Sequence, residues 1–245
     1  MTQLQLIPVE GLPEVRSGDD LARLIHEHSN LESGDVVVVA QKVVSKAEGR
    51  AVDLATVTAG DEAKRLAPRL IAQPDPRFVQ VVLDQSIRVL RADRVLITET
   101  RHGFVCANAG VDQSNTGGGD IATLLPEDPD ASASGLRTRL RELAGVEVGV
   151  VISDTFGRPW RLGIVNVALG VSGLPALIDL RGTVDDGGRP LHATVLAVAD
   201  EVAAAAGMVM GKTARTPAVI VRGLAWKGDG SGKEIIRPAA EDLFR

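Results

Sequence analysis

The chain has 245 residues, 44% of them hydrophobic and 24% charged, with a formal net charge of −5. That length holds one large domain or two small ones with a full core, and this balance excludes global disorder. The acidic surplus and the lack of any basic run exclude a general nucleic-acid binder, whereas a polyanionic small molecule needs only a few focused cations and stays compatible.

Aromatic residues are scarce, so the core must be built from Val, Leu, Ile and Ala. A single cysteine, Cys106, rules out an internal disulfide and argues against a Cys-based zinc site. The N-terminal MTQLQLIPVEGLPEV lacks the basic flank and apolar core of a signal peptide. No apolar run approaches the roughly 20 residues of a membrane helix. A cytoplasmic protein is expected, with no membrane or nucleic-acid partner.

In chain order, Gln3 to Val9 reads as a first strand, stopped by Pro8 and Gly11. Ser17 and Asp20 resemble a capping pair. Leu21, Leu24, Ile25 and Leu31 follow at helical spacing, which predicts a helix over 19–31. Asp35 to Ala40, with four consecutive Val, predicts a strand covered on both faces. The segment Gln41 to Lys46 leaves that strand with two lysines. Residues 60–73 read as helix and Pro74–Pro76 as a break, while 78–91 have mixed periodicity that fits helix or strand. Val95 to Thr100 is a strand, Arg101 to Gly103 a hairpin turn, and Phe104 to Ala107 the returning strand. A glycine-rich polar stretch, Gly110 to Gly119, precedes a helix over Ala131 to Leu143. Val146 to Ile152 is a second buried strand, with Asp154 and Thr155 at its C-terminal end. An Ala-rich helix over 193–206, a late strand over Pro217 to Arg222 and a flexible loop over Gly228 to Gly232 complete the chain. Strands and helices alternate irregularly. The expected class is therefore α+β, with mixed sheets, rather than a regular Rossmann or P-loop fold. Any boundary between two subdomains would fall near Pro74 or Pro126–Pro129.

Five segments can carry chemistry. Asp154 and Thr155 follow a rigid strand and offer the oxygen ligands that hard cations prefer, although a capping Asp at a turn looks the same. Asp112 and Asn115 lie in Gly110 to Gly119, where glycine lets backbone N–H groups approach phosphate; an ordinary surface loop has the same composition. Lys42 and Lys46 can reach phosphate from the end of a buried strand, or can simply be solvated. Met210-Gly-Lys-Thr213 invites a P-loop reading, but the required glycine five residues before Gly211 is Ala206, and the preceding segment is helical. The P-loop is rejected, while a nucleotide loop of another kind stays open. Arg158 and Arg161 can grip an anion, or belong to a surface turn around a buried Trp160. His26, His28, His102 and His192 give no local support for a metal site or a catalytic triad.

Taken together, five segments resemble a known family, the coenzyme F-420-0:L-glutamate ligases, in the form of the actinobacterial ligase domain. They are Leu6–Glu14, Asp35–Gly49, Gly110–Asn115, Val151–Arg161 and Ala199–Lys212, in order along nearly the whole chain. The resemblance implies one ligase domain over 1–245, without the flavin-reductase-like domain that follows in many relatives of that type. It implies an intertwined two-lobed α+β fold and a homodimer. It places GTP against Leu12, Pro13, Glu14, Val15, Gln41, Lys46 and Asn115, with the loop Met210, Gly211, Lys212, Thr213 and on to Pro217 closing over it. Asp112 and Asp154 would hold one divalent ion, Mg²⁺ or Mn²⁺, and Thr155 would touch a second, with K⁺ as a further ion. Lys46, Asp112 and Asp154 would carry the catalysis. Archaeal relatives have an acidic or amide side chain in place of Lys212. A protonated Lys cannot ligate a metal, so the second ion's shell stays open and Lys212 is read toward phosphate. The implied reaction joins L-glutamate to the lactyl carboxylate of coenzyme F-420-0 through an acyl phosphate, then adds γ-linked glutamates. A metal-dependent phosphohydrolase and a non-catalytic nucleotide-binding module are the competing readings.

Overall fold

The computed structural model describes residues 3–113, 120–211 and 215–242. In chain order the elements are β1 (Gln5–Pro8), α1 (Leu21–Glu27), β2 (Val36–Ala40), α2 (Gln41–Ala47), β3 (Ala51–Asp53), α3 (Asp61–Leu66), α4 (Pro76–Asp84), β4 (Ser86–Asp93), β5 (Val95–Thr100), β6 (Val105–Ala107), β7 (Ile121–Thr123), α5 (Pro129–Ala144), β8 (Gly149–Arg158), β9 (Arg161–Ser172), β10 (Ile178–Asp179), β11 (Val195–Leu196), α6 (Val198–Met210) and β12 (Ala218–Arg222). The expected α+β class holds: parallel and antiparallel strands mix, and among the described residues no barrel closes.

The main sheet has the order β1-β12-β2-β8-β9. Only β2 and β8 run parallel; the other neighbours are antiparallel. The four-valine run behaves as expected of a strand buried on both faces. Val37 and Val39 pack with Val150, Ile152 and Ile220 against Leu21 and Ile25 of α1 and Leu140 of α5. Val36 and Val38 face the other way, against Ala199, Val202, Ala203 and Ala206 of α6. All four valines are 0% exposed.

A second lobe gathers around Leu54, Leu66, Phe78, Val82, Leu96 and Ala122. It is built from the β3–β7 pair, the β4-β5-β6 sheet and helices α3 and α4. A smaller cluster of Phe104, Cys106, Leu125 and Leu169 joins the lobes. The two-lobed part of the expectation is met in these separate cores.

Several sequence expectations needed correction. Residues 78–91 are neither one helix nor one strand: α4 is started by Pro76 and the Asp75 cap, ends at Asp84, and gives way to the exposed strand β4. The second buried strand does not end before Asp154. It runs on to Arg158 and turns through Pro159 and Trp160 into β9, so Asp154 and Thr155 sit inside β8. Trp160 is 81% exposed rather than buried. The C-terminal loop is tied down, because Asp229 accepts a hydrogen bond from Gly173 N–H and Asp130 accepts one from Gly232 N–H. Strand β9 carries no strong signal, since its glycines read as breaks. Gly170 is needed there for another reason: a Cβ at that position would stand 2.0 Å from the Pro129 carbonyl oxygen at the start of α5.

Candidate functional site

The register of the main sheet brings distant segments to one edge. Pro8 at the end of β1 lies opposite Val219, Ala218 lies opposite Val39, and Ala40 lies beside Ser153. Val9 N–H donates to the Ala218 carbonyl at 3.0 Å and Ala40 N–H to the Pro217 carbonyl at 2.8 Å. The carboxyl ends of β1 and β2, the Ser153–Asp154 step of β8 and the approach to β12 therefore share one rim. Ligands of open α/β sheets bind outside the carboxyl ends of their strands, and this rim has that character around the parallel β2–β8 pair.

Helix α2 starts at this rim, directly after β2, and packs against both β7 and β8. Its residues Lys42 and Lys46 are four apart and share a face. Lys42 Nζ meets Asp112 Oδ2 at 2.6 Å, and Lys46 Nζ meets Glu14 Oε1 at 2.5 Å. Both lysine side chains are mostly buried, at 21% and 18% exposure, so they are not simply solvated. Asp112 arrives from the second lobe. Its backbone exchanges two hydrogen bonds with Thr123 of β7, which fixes the carboxylate's point of departure. Asp154 arrives from the first lobe, where Ser153 lies beside Ala40 just before the chain turns into α2. One oxygen of Asp154 accepts from Thr155 N–H at 2.7 Å. The two carboxylates thus approach the start of α2 from opposite lobes.

The other expected residues distribute around the same helix. Val15 is buried and Leu12 packs against the first core, which leaves Pro13 and Glu14 exposed on the segment after β1. Gln41 is the first residue of α2, 3% exposed, with its amide oxygen accepting from the Ser45 hydroxyl. Thr155 lies opposite Asn166 on β9. Met210 ends α6, as the rejection of a P-loop requires, and Gly211 follows it at φ 54°. Asn115, Lys212 and Thr213 lie outside the described residues. Arg158 donates to the Leu162 carbonyl across the β8–β9 turn.

One residue on this rim escaped sequence reading. Asn166 is directed at the Ser153 hydroxyl (3.4 Å) and the Met210 sulfur (3.7 Å), joining β8 to the end of α6. A lone Asn in a strand missed altogether gave no signal.

Among the described residues, no three His, Cys, Asp or Glu side chains converge on one metal position. The donors expected here are the Asp112 and Asp154 carboxylates, with the Thr155 hydroxyl on the next position of β8 and so on its other face, all hard oxygen ligands. That set fits Mg²⁺ or Mn²⁺, which keep few protein ligands and complete their shell with water and phosphate. The Lys42 ammonium, close against Asp112, marks a place where positive charge is already accepted. The field of Asp154 is felt nearby: burial, and then the Asp154 charge, push the Cys106 thiol up to about 12, against a smaller opposing effect of the Gly110 N–H.

Comparison with known proteins identifies the family. A model of the family described as "F420-0:Gamma-glutamyl ligase" matches residues 11–223. The chain is 49% identical to the coenzyme F420:L-glutamate ligase of Methanopyrus kandleri, across 99% of this chain and 98% of that protein. It is 46% identical to the ligase of that name from Methanothermobacter thermautotrophicus, across 99% of each chain. The corresponding protein of Archaeoglobus fulgidus is 47% identical, across 99% of this chain and 97% of its own. With the family model spanning most of the chain and these relatives matched nearly end to end, the chain belongs to the F420-0:gamma-glutamyl ligase family.

Proposed function

We propose that this chain is a GTP-dependent ligase that joins L-glutamate to the lactyl carboxylate of coenzyme F-420-0 and then adds γ-linked glutamates. The observation that carries the reading is the nearly end-to-end match to proteins named coenzyme F420:L-glutamate ligase. The rim around α2 supports it, because it gathers two cationic side chains and two carboxylates from both lobes.

The chemistry proceeds in two balanced steps. A carboxylate oxygen of the precursor attacks the γ-phosphorus of GTP; the bond to the β-phosphate oxygen breaks and GDP leaves. The amine of glutamate then attacks the acyl-phosphate carbonyl, losing a proton as phosphate departs and the amide forms. The obstacle is an anion approaching a polyanion. Lys46 and Lys42 offset that repulsion, with phosphate replacing Glu14 as the partner of Lys46. Asp112 and Asp154, with Thr155, would hold one or two Mg²⁺ or Mn²⁺ ions, whose chemistry is charge neutralisation on the transferring phosphoryl group. GTP rather than ATP, the contacts of Leu12 to Val15, Gln41, Asn115 and the 210–217 segment with the nucleotide, and a role for K⁺ all follow the family resemblance. A homodimer gains support from Trp160, Leu162 and Ile164, large apolar residues exposed around the tip of the β8–β9 hairpin. No helix among the described residues is long and apolar enough to cross a membrane; a cytoplasmic location accords with the biosynthetic role proposed.

The test is mass spectrometry of the deazaflavin after incubation with GTP, Mn²⁺ and glutamate. A glutamyl mass increment that requires all three, with GDP released, is expected. GTP loss without glutamate identifies a phosphohydrolase. GTP binding without any product identifies a non-catalytic module.

A further inference from the structure

The proposed reaction needs a place for the planar ring system of its acceptor, and none of the residues above provides one. Two cavities lined by described residues come into question. The larger, of about 560 Å³, lies between α1, α2 and α5, and its wall includes Asp19, Asp20, Glu48, Glu127 and Asp128 with Arg139. Arg139, the one guanidinium in this wall, is already held by Asp20, and Asp19 and Glu48 face no cation among the described residues, so this cavity offers an anionic phosphodiester little and suits the acceptor poorly.

The smaller cavity, of about 250 Å³, runs along the outer side of β9. It has three features that act together. First, its walls are aromatic and aliphatic: Phe104 and Phe156, with ring centroids 6.3 Å apart at 81°, together with Val167 and Ile236. Second, a carboxylate stands inside this apolar lining. Asp200 Oδ1 accepts from Ala168 N–H at 2.8 Å, and among the described residues its carboxylate makes no other hydrogen bond. A desolvated carboxylate with a spare oxygen seeks a further N–H donor. Third, Arg237 is exposed and brings a guanidinium to the same cavity. Position matters as much as composition. Phe156 follows Asp154 by two residues on β8 and shares its face, and Val167 lies directly opposite Asp154. Two of the cavity's lining residues, Phe156 and Val167, therefore share the strand face that carries Asp154.

The geometry points to this cavity as the site of the acceptor's heteroaromatic ring, with Asp200 accepting a ring N–H and Arg237 facing the phosphodiester. The assignment rests on the ligase reading above. At about 250 Å³ the cavity is smaller than the pockets of about 300–1,000 Å³ that enclose whole drug-sized ligands, so it would take the ring system and leave the polar tail outside.

The experiment uses the full chain with two probes. One is coenzyme F-420-0; the other is its ring and ribityl portion without the phosphodiester. Asp200→Asn keeps an oxygen for Ala168 N–H and replaces the spare acceptor with a donor. It should weaken binding of both probes about tenfold or more. Arg237→Gln should weaken coenzyme F-420-0 several-fold and leave the truncated probe unchanged. In both variants the KM for GTP and the mass in solution should match the parent. Parent-like affinity for both probes in Asp200→Asn and Arg237→Gln, with the parent active, overturns the cavity assignment alone. Loss of the dimer in step with loss of affinity also overturns it, by giving the cavity to the partner's apolar hairpin tip. Failure of the unaltered chain to bind or glutamylate any deazaflavin overturns this assignment and the ligase reading together. Should Asp200→Asn fail to fold, Arg237→Gln, on the surface, still decides.

Discussion

Lys42 and Asp112 stand 70 residues apart in the chain and meet at 2.6 Å, one from the helix that leaves β2 and the other from a turn pinned to β7. The pair crosses from one lobe to the other at the rim where Asp154 also arrives. With Asp112 42% exposed, the pair contributes less than about 1 kcal/mol to folding. Lys42→Met keeps the stem and removes the charge. It should leave the urea midpoint nearly unchanged and lower turnover by about tenfold or more. The two effects are separated by denaturation and by GDP release. Full activity in this variant would show that Lys42 serves only the resting arrangement of Asp112.

Asp35 and Arg222 form the contrasting pair. Asp35 is 1% exposed and is gripped on both oxygens, by Arg222 Nε at 2.8 Å and Nη2 at 2.8 Å. The guanidinium also reaches Glu32 and the Asn30 carbonyl, clamping the turn before β2 to the end of β12. Removing it strands a buried carboxylate, which costs about 3–5 kcal/mol. Arg222→Met should therefore destabilise severely in urea, while Arg23→Met, which breaks the exposed Arg23–Glu27 pair, should cost under about 0.5 kcal/mol. Similar losses for the two would refute the distinction between buried and surface pairs.

Much of this frame is legible in the residues themselves. Four consecutive valines can only be a strand buried on both sides, and the core clusters split them two and two. The break at Pro74–Pro76 and the turn ending at Gly103 carry local signals that tertiary structure did not overrule, whereas the cap expected of Ser17 paired with Asp20 is made by Asp20 itself, directly before α1. The failures lie where long-range contact decides. Gly170 lies in a stretch left unassigned from sequence, yet its missing Cβ is what lets β9 touch the start of α5. Trp160 reads as a core residue, yet it stands at the tip of the β8–β9 hairpin, 81% exposed, where the chain's reversal rather than its own hydrophobicity places it. In the site, Asp112, Asp154 and Lys46 stand out because they sit in recognisable runs. Asn166 does not, and Asp200, though inside the Ala199–Lys212 run, shows no role there, because the partner of its carboxylate is far away in sequence.

Cys106 links stability to alkaline pH. Its thiol is pushed from the usual 9.0 up to about 12, first by burial and second by the Asp154 charge. A group whose proton is held more tightly in the folded state lends stability that is complete below the unfolded pKa. That contribution drains away as pH rises toward the folded value. The chain should thus lose stability between about pH 9 and pH 12, and part of that loss should vanish in Cys106→Ala. Urea midpoints at about pH 8 and pH 10.5 measure this. The native thiol should also resist alkylation at neutral pH and react once unfolded. A Cys106→Ala chain with the same alkaline slope as the parent would remove the thiol as its cause.

Gly207 tests the link between Asn166 and the segment that leaves α6. Within a helix, Gly→Ala ordinarily stabilises by about 1 kcal/mol. Here a Cβ would stand 2.7 Å from both Cγ and Oδ1 of Asn166 and 3.1 Å from its Cβ. The amide would have to swing away and give up the Ser153 hydroxyl and the Met210 sulfur. Gly207→Ala should therefore destabilise by about 1–3 kcal/mol, against its helix propensity. It should also raise the KM for GTP, because Met210 begins the segment expected to close over the nucleotide. Adding Asn166→Ala vacates the space and should recover most of the stability, giving a coupling of about 1 kcal/mol or more between the two positions. The KM should not recover, since the tie from β8 to Met210 stays cut. Recovery of both, or stabilisation by Gly207→Ala alone, would mean that Asn166 merely fills space under α6 and does not position the nucleotide segment beyond Met210.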